Sequence, residues 1–261
     1  LSVDGAVDEY DSRNTAQGKV SVSLLDAFLD YKMLVGLKVR AGQFRPEFDL
    51  EAARIRKDMV FVYRALYNRG VRGVEGFNLS GLGLSREVGV ALHGAFGSEN
   101  AFHGDYQIAI TNGRSADAIV NDNELPAVGS RFTLEYADSV SLGLGTRYNR
   151  RTTGDTPDLI DQDELSLTTD LQYRVVVAGN NLVLEGAMTQ KKIDVVDVQS
   201  EPSTTRFGYH GAVILGRGSL TLAYRYAVYD PTYAFSENRR CPTRRSLRRR
   251  HHHPPDHRSV L

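Results

Sequence analysis

The chain has 261 residues, of which 41% are hydrophobic and 25% are charged, enough for one large domain or two small ones. It contains no apolar run of the roughly 18 residues that a transmembrane helix needs. This excludes a helical membrane protein but not a β-barrel, whose strands alternate apolar and polar residues. Since Cys241 is the only cysteine, an intramolecular disulfide is excluded as well.

The C-terminal tail differs in charge from the rest of the chain, although the formal net charge is zero. From Arg239 onward there are eight arginines and one acidic residue, Asp256, whereas the preceding residues include 24 basic and 31 acidic side chains. Runs of Arg, His and Pro without hydrophobic periodicity do not form a core, so we expect residues 239–261 to be unstructured. The abrupt change near Asn238 also favours the hypothesis that the tail is an out-of-frame translation.

A period-two alternation of apolar and polar residues recurs along most of the chain, as in half-buried β-strands. In one example, Val140, Leu142 and Leu144 alternate with polar or small residues. We therefore predict an all-β fold. The predicted strands are Val20–Tyr31, Leu34–Phe44, Gly73–Gly83, Glu87–Gly97, Asp105–Thr111, Ser130–Tyr136, Val140–Asn149, Glu164–Arg174, Leu182–Lys191, Arg206–Leu215 and Ser219–Tyr229.

The lengths of the segments and of their connections favour an antiparallel transmembrane β-barrel. Segments of about 9–12 residues suit strands tilted across a bilayer. Short turns on one side and long loops on the other are typical of outer-membrane barrels. A soluble β-sandwich, in which the apolar faces bury each other, is the alternative. The tight turns are Asp138–Ser139, Gly179–Asn181 and Gly216–Gly218, and the long polar connections are Arg45–Arg72, Asn112–Gly129, Arg150–Asp163 and Asp194–Thr205.

The connection Arg45–Arg72 is too long for a simple hairpin. It places Leu50, Ala53 and Ile55 at near-helical spacing, with basic residues between them. Two interpretations remain open. The segment could fold into a pore and narrow it, or it could form a surface helix with a solvated basic face.

Several short motifs resemble the phosphate-selective porin O and P family. DAFLDY at Asp26–Tyr31 is followed by LKVRAGQFRPEFDLE at Leu37–Glu51, which resembles a family strand that leads into a "vGqfkpPf"-type segment. The resemblance covers residues 20–238 and weakens after Arg150. It departs from the family at Met59–Arg64, where VFVYRA stands in place of an acidic element. Further resembling segments are Gly73–Gly83, Val88–Gly97, Ile110–Arg114, and the motifs SRFTLEY and SLGLGTRYN.

The resemblance implies a trimeric, sixteen-stranded pore in the Gram-negative outer membrane that passes phosphate or related anions. It implies contact with outer-membrane lipid and lipopolysaccharide, passive ion transport without a cofactor, and no nucleic-acid partner. About eleven of the sixteen strands are predicted here, so we expect the chain to be truncated at both ends. No secretory signal precedes it. We divide it into a polar leader or hairpin remnant (1–19), a partial porin barrel (20–238) and a basic tail (239–261).

An oxyanion pore needs fixed positive charge along a polar wall, and Arg suits this role because its planar fork meets two phosphate oxygens. Acidic residues on the same faces, including Asp30, Glu135 and Asp170, could cancel this charge. Anion preference and cancellation both remain open. The predicted pore-lining, anion-binding candidates are Lys38, Arg40, Arg54, Arg56, Lys57, Arg131, Arg147, Arg174, Lys191, Arg206 and Arg225.

Motifs of enzymes and metal sites are missing from the sequence. It contains no G-x-S-x-G, no H-E-x-x-H and no P-loop. We therefore predict that the protein is not an enzyme, and we predict no catalytic residue, no cofactor and no metal ligand. A passive anion channel is the leading functional hypothesis. A soluble periplasmic β-sandwich binding module and a plugged structural outer-membrane barrel are the alternatives.

Overall fold

The computed structural model describes residues 2–7, 22–54, 59–72, 78–98, 101–114, 125–153, 159–196 and 203–231. In this part of the chain, eleven strands form one antiparallel sheet in which chain neighbours are also sheet neighbours. The sheet is not closed, and its two edges are β1 and β13. The strands are β1 (Ser2–Val7), β2 (Val22–Leu34), β3 (Leu37–Phe44), β6 (Glu87–Gly97), β7 (Phe102–Thr111), β8 (Ala127–Tyr136), β9 (Val140–Thr153), β10 (Ile160–Val177), β11 (Asn180–Val195), β12 (Thr204–Arg217) and β13 (Leu220–Asp230).

Between β3 and β6 lie two single helical turns and a small ribbon. The helical turns are α1 (Leu50–Ala53) and α2 (Leu66–Arg69). The ribbon pairs β4 (Gly70–Arg72) with β5 (Asn78–Ser80). No helix in the described ranges is long and apolar enough to cross a membrane.

The prediction of an all-β antiparallel sheet is confirmed, and ten of the eleven predicted strands lie in the main sheet. The prediction for Gly73–Gly83 is wrong in its described part, where only β5 is a strand and it pairs outside the main sheet. Four glycines in these eleven residues weaken any strand. Within the predicted leader 1–19, Ser2–Val7 forms a strand that pairs with β2. The predicted tail 239–261 lies outside the described residues.

The facing ends of β9 and β10, the end of β9 and the beginning of β10, extend beyond the prediction into mostly polar sequence. The prediction ended each strand where its apolar alternation stopped, but β9 continues to Thr153 and β10 has 18 residues. Polar cross-strand pairs hold the extension together. Arg150 binds Asp163 at 2.8 Å, and the Thr152 hydroxyl donates to Asp161 at 2.6 Å. The connection predicted at Arg150–Asp163 is therefore shorter than the sequence indicated.

The two faces of the sheet have burial opposite to that of a soluble protein. On β10, Leu167 and Leu171 are 51% and 53% exposed, whereas the residues that directly precede them, Ser166 and Asp170, are each only 2% exposed. We call the exposed side the apolar face and the buried side the polar face. The same alternation runs through β7, β8, β9, β11 and β12. The face assignment made from the sequence is therefore confirmed for these strands.

The described residues between β3 and β6 (45–54, 59–72 and 78–86), here called the inserted segment, lie on the polar face. The segment bonds to β7 through Glu47 and to β13 through Glu51. Six inter-strand steps separate β7 from β13, which is about 29 Å across a flat sheet. Four residues span at most about 14 Å, and strand side chains stand roughly perpendicular to the sheet, so they add little to this reach across a flat sheet. The sheet therefore curves around the inserted segment, and its polar face is concave.

Candidate functional site

The first half of the inserted segment is fixed by hydrogen bonds to polar side chains of β7 and β8. The Glu47 backbone N–H donates to Gln107 Oε1 at 2.7 Å, and the Phe48 carbonyl accepts from Arg131 Nη1 at 3.3 Å. Asp49 begins α1, because its Oδ1 accepts from the Ala52 backbone N–H at 2.8 Å. Side-chain capping of this kind satisfies backbone donors that a single helical turn leaves free.

Glu51 links the two halves of the inserted segment to β13. Its carboxylate accepts from the Ala65 backbone N–H at 2.9 Å and from Asn68 Nδ2 at 2.8 Å. It also pairs with Arg225 Nη1 at 2.8 Å, and the Glu51 side chain is only 3% exposed. Hydrogen-bond donors and an ion-pair partner of this kind offset the cost of burying a carboxylate.

The second half of the inserted segment docks on β11 and β12 through a buried chain of three side chains. The Tyr67 hydroxyl lies 3.1 Å from His210 Nδ1, and His210 Nε2 lies 2.9 Å from Glu185 Oε1. Arg54 pairs with the second Glu185 oxygen. Glycine permits the close approach here, since a Cβ at Gly208 would lie 2.1 Å from Tyr67 Cβ.

Burial changes the acidity of three groups on the inserted segment. Burial and the neighbouring Glu51 carboxylate raise the pKa of Asp49 from 3.8 to about 6. Burial also raises the pKa of Glu47 above its ordinary value. The pKa of the Tyr67 hydroxyl is raised by burial and then by nearby carboxylates, so Tyr67 remains neutral. The pKa of Asp49 therefore lies close to the physiological range.

Most of the predicted anion-binding residues lie on the polar face, but carboxylates neutralise them. Arg131 pairs with Asp170 at 2.8 Å and Arg147 pairs with Glu87 at 2.6 Å, all four side chains being nearly inaccessible to solvent. This pairing is the cancellation that the sequence left open. The remaining pairs of predicted residues are Arg40–Asp30, Arg54–Glu185, Arg174–Glu135, Lys191–Glu164 and Arg225–Glu51.

Two of the predicted residues lack a carboxylate ion-pair partner within the described ranges. Among the described residues, Lys38 and Arg206 form no ion pair. Lys32, which the sequence analysis did not select, is the cross-strand partner of Lys38. The predicted candidates Arg56 and Lys57 lie outside the described residues. Positive charge that could attract an anion is therefore concentrated at fewer positions than the sequence indicated.

A cavity of about 520 Å³ lies between the inserted segment and the main sheet. Lys32 and Lys38 contribute its amines, and Glu47 and Asp105 contribute its carboxylates. Thr133 on β8 adds a hydroxyl. The cavity is polar and large enough for a small solute.

Sequence reasoning missed the residues that hold the inserted segment in place. Glu51, Tyr67 and His210 carried no motif, and their partners are distant in sequence. Tyr67 and His210 are 143 residues apart, and Glu51 and Arg225 are 174 residues apart. One signal was available, because Glu185 and His210 are ionisable residues at polar-face positions within the predicted strands. Comparisons with protein-family models, with curated proteins and with solved structures found no match.

Proposed function

We propose that this chain forms part of the wall of an outer-membrane porin that passes small anions by diffusion. The single observation that carries the proposal is the inverted burial of the sheet. Large apolar side chains cover its convex surface, while Arg, Asp, Glu, Gln and Thr line its concave surface. In water this arrangement is unfavourable by about 25 cal/mol for each Å² of apolar surface left exposed. In a bilayer the same apolar face is the stable one.

The dimensions of the apolar face support a membrane location. On β9 the outward row runs from Val140 to Tyr148. Nine residues of a strand extend about 27 Å, or roughly 20 Å in height when tilted, near the apolar thickness of an outer-membrane barrel. Aromatic side chains border the tight-turn end, where Phe102 and Tyr136 pack at 4.8 Å between ring centroids. Such borders are typical of the membrane interface.

The basic side chains that form no ion pair within the described residues support a preference for anions. Lys32 and Lys38 line the cavity beside the inserted segment, and Arg206 lies on the polar face of β12. An anion entering the concave side meets these charges while most other cations are neutralised. A closed sixteen-stranded barrel, a trimer and phosphate as the permeant ion come from the resemblance to the porin O and P family, and we include them in the proposal.

A second candidate function is a plugged structural barrel. The observation in its favour is the inserted segment itself, which is bonded to side chains of β7, β8, β11, β12 and β13. A segment held by so many contacts could block the concave side. Conductance separates the two candidates, because a plugged barrel inserts in lipid without conducting.

The membrane location can be tested by fluorescence, since the chain contains no tryptophan. Leu167→Trp places an indole on the apolar face, whereas the matched control Thr133→Trp places it in the cavity. In vesicles that contain brominated phosphatidylcholine, we expect strong quenching for Leu167→Trp and little for Thr133→Trp. A monodisperse, detergent-free protein with equal quenching at both positions would instead indicate the soluble β-sandwich.

The channel activity can be tested in planar bilayers with a salt gradient. We expect stepwise conductance and a reversal potential displaced towards that of the anion. Insertion with no conductance would support the plugged barrel. A reversal potential of the opposite sign would contradict the anion preference while leaving the porin proposal intact.

A further inference from the structure

Three potential metal ligands converge at the tight-turn end of the sheet. His103 on β7 and Glu135 on β8 are direct cross-strand partners. Asp138 lies in the turn that follows β8. One nitrogen or oxygen from each residue lies within 4.8 Å of the other two. The three residues are distinct from the contacts that hold the inserted segment.

The spacing of these atoms matches a coordination shell better than an ion pair. His103 Nε2 lies 3.5 Å from Glu135 Oε2 and 3.5 Å from Asp138 Oδ1. Charge-assisted hydrogen bonds are shorter, about 2.7–2.9 Å. Ligands at about 2.1 Å from a tetrahedral zinc ion are separated from each other by about 3.4 Å. Both measured distances are close to this edge length.

The backbone holds Asp138 towards His103 without help from a ligand. Asp138 has a φ of 55°, a left-handed conformation that Asp tolerates better than most residues. The Ala137 backbone N–H donates to the Ala101 carbonyl at 3.0 Å, which ties the turn to the beginning of β7. The Ser139 hydroxyl donates to the Ala137 carbonyl at 3.1 Å. This preorganisation reduces the entropy lost when a ligand binds.

We propose that His103, Glu135 and Asp138 form a binding site for a borderline divalent transition-metal ion of the zinc class. One imidazole and two carboxylates favour such an ion over calcium or magnesium, which prefer oxygen ligands alone. Water would supply the fourth ligand of a tetrahedral shell. The ion would join β7, β8 and the turn after β8 in one unit. The site needs only these neighbouring elements, so it does not depend on the proposed channel.

Arg174 is the competing cation at this site. Its Nη1 lies 3.3 Å from Glu135 Oε2 and 3.4 Å from the Asp138 carbonyl. A bound metal would share or displace this contact, and the Arg174 side chain is 40% exposed and therefore able to move. Removal of the guanidinium should strengthen metal binding. A purely structural network of ion pairs would not gain zinc affinity from this change.

The test is a zinc titration of the chelator-treated full chain in detergent micelles, in which calorimetry measures the stoichiometry and the affinity. Four tail histidines and Cys241 would bind zinc on their own, so the background carries Cys241→Ser and Gln at His251, His252, His253 and His257. We expect one equivalent of bound zinc and, with cobalt, the intense visible absorption of a four-coordinate ion. His103→Gln and Asp138→Asn should each lower the affinity at least about 10-fold.

A matched control distinguishes this site from other histidine–carboxylate contacts. His93 Nε2 lies 3.4 Å from Asp30 Oδ1, the one carboxylate with which it pairs among the described residues, so His93→Gln should leave the zinc affinity unchanged. Arg174→Gln should raise it severalfold. Circular dichroism verifies that each variant keeps its strand content. If His103→Gln misfolds, Asp138→Asn still tests the site, because Asp138 is an exposed residue in a turn. Absence of binding below 1 mM zinc, or equal affinity in His103→Gln and the background, would overturn the proposal.

Discussion

Arg131 and Asp170 form a buried ion pair that crosses over Gly143 between their strands. The guanidinium lies 2.8 Å from the carboxylate, and the two side chains are 3% and 0% exposed. A Cβ at Gly143 would lie 2.3 Å from Arg131 Nη2 and 2.4 Å from Asp170 Oδ1. The pair therefore occupies the space that a larger residue on β9 would fill. The pair also helps to hold the inserted segment in place, because Arg131 donates a hydrogen bond to the Phe48 carbonyl.

Removing one partner of this pair should be strongly destabilising. Arg131→Met leaves the Asp170 carboxylate buried and unpaired, which costs about 3–5 kcal/mol in the free energy of unfolding. The double variant Arg131→Met/Asp170→Leu removes both charges and should recover most of that loss. Urea unfolding followed by circular dichroism measures both. Equal losses in the single and double variants would contradict the role of the uncompensated charge.

Gly208→Ala should displace the inserted segment from β12. The added Cβ would lie 2.1 Å from Tyr67 Cβ, which is attached to the backbone and cannot rotate away. Overpacking of this kind costs about 1–3 kcal/mol, measured as a lower unfolding midpoint. Gly211→Ala on the same strand is the control, because its Cβ would meet nothing closer than 3.9 Å. If Gly211→Ala destabilised as much as Gly208→Ala, the contact with Tyr67 would not explain the effect.

Asp49→Asn should remove a pH dependence of stability. Because the pKa of Asp49 is raised from 3.8 to about 6 in the folded chain, the folded state binds this proton more tightly than the unfolded state. The contribution of Asp49 to stability is therefore favourable below pH 4 and is lost as the pH rises to about 6. The loss is about 3 kcal/mol.

The measurement is the difference in unfolding midpoint between Asp49→Asn and the unchanged chain, at pH 4 and at pH 7.5. Asn retains the capping oxygen at the start of α1, so the cap itself should persist. We expect Asn to be relatively more stabilising at the higher pH. A difference that stayed constant between the two pH values would show that Asp49 does not titrate in this range.

Lys38→Gln should lower the anion-to-cation permeability ratio about four-fold, because one charge acting over about 10 Å in water changes the energy of an anion by about 0.4 kcal/mol and that of a cation by the opposite amount. Reversal potentials in a salt gradient measure the ratio. The control is the double variant Asp30→Asn/Arg40→Gln, which removes the 2.8 Å ion pair without changing the net charge. It should leave the ratio unchanged. A larger effect of the double variant than of Lys38→Gln would locate the selectivity at Arg40 instead.

The sequence alone was sufficient for ten of the eleven strands of the main sheet and for the side of the sheet on which their alternating residues lie. The alternation of Val140, Leu142 and Leu144 with Ser141 and Gly143 is local, and the pleat of a strand converts it directly into two faces. The ends of β9 and β10 were not predictable in this way. The residues added at their facing ends, Arg150–Thr153 and Ile160–Asp163, are mostly polar and are held by pairs such as Arg150–Asp163.

Only the tertiary structure decided which charges meet and where the inserted segment lies. Arg54 and Glu185 are 131 residues apart, and no local pattern specifies that they pair. Their contact exists because the sheet curves and brings the polar sides of β7 to β13 around one short segment. The same curvature pairs most of the predicted cations with carboxylates, such as Arg131 with Asp170, whereas Lys38 forms no ion pair within the described residues. The two-residue period of a strand determines locally to which face each side chain points. The partner of a long polar side chain depends instead on which distant strands the curved sheet brings within reach on its concave face.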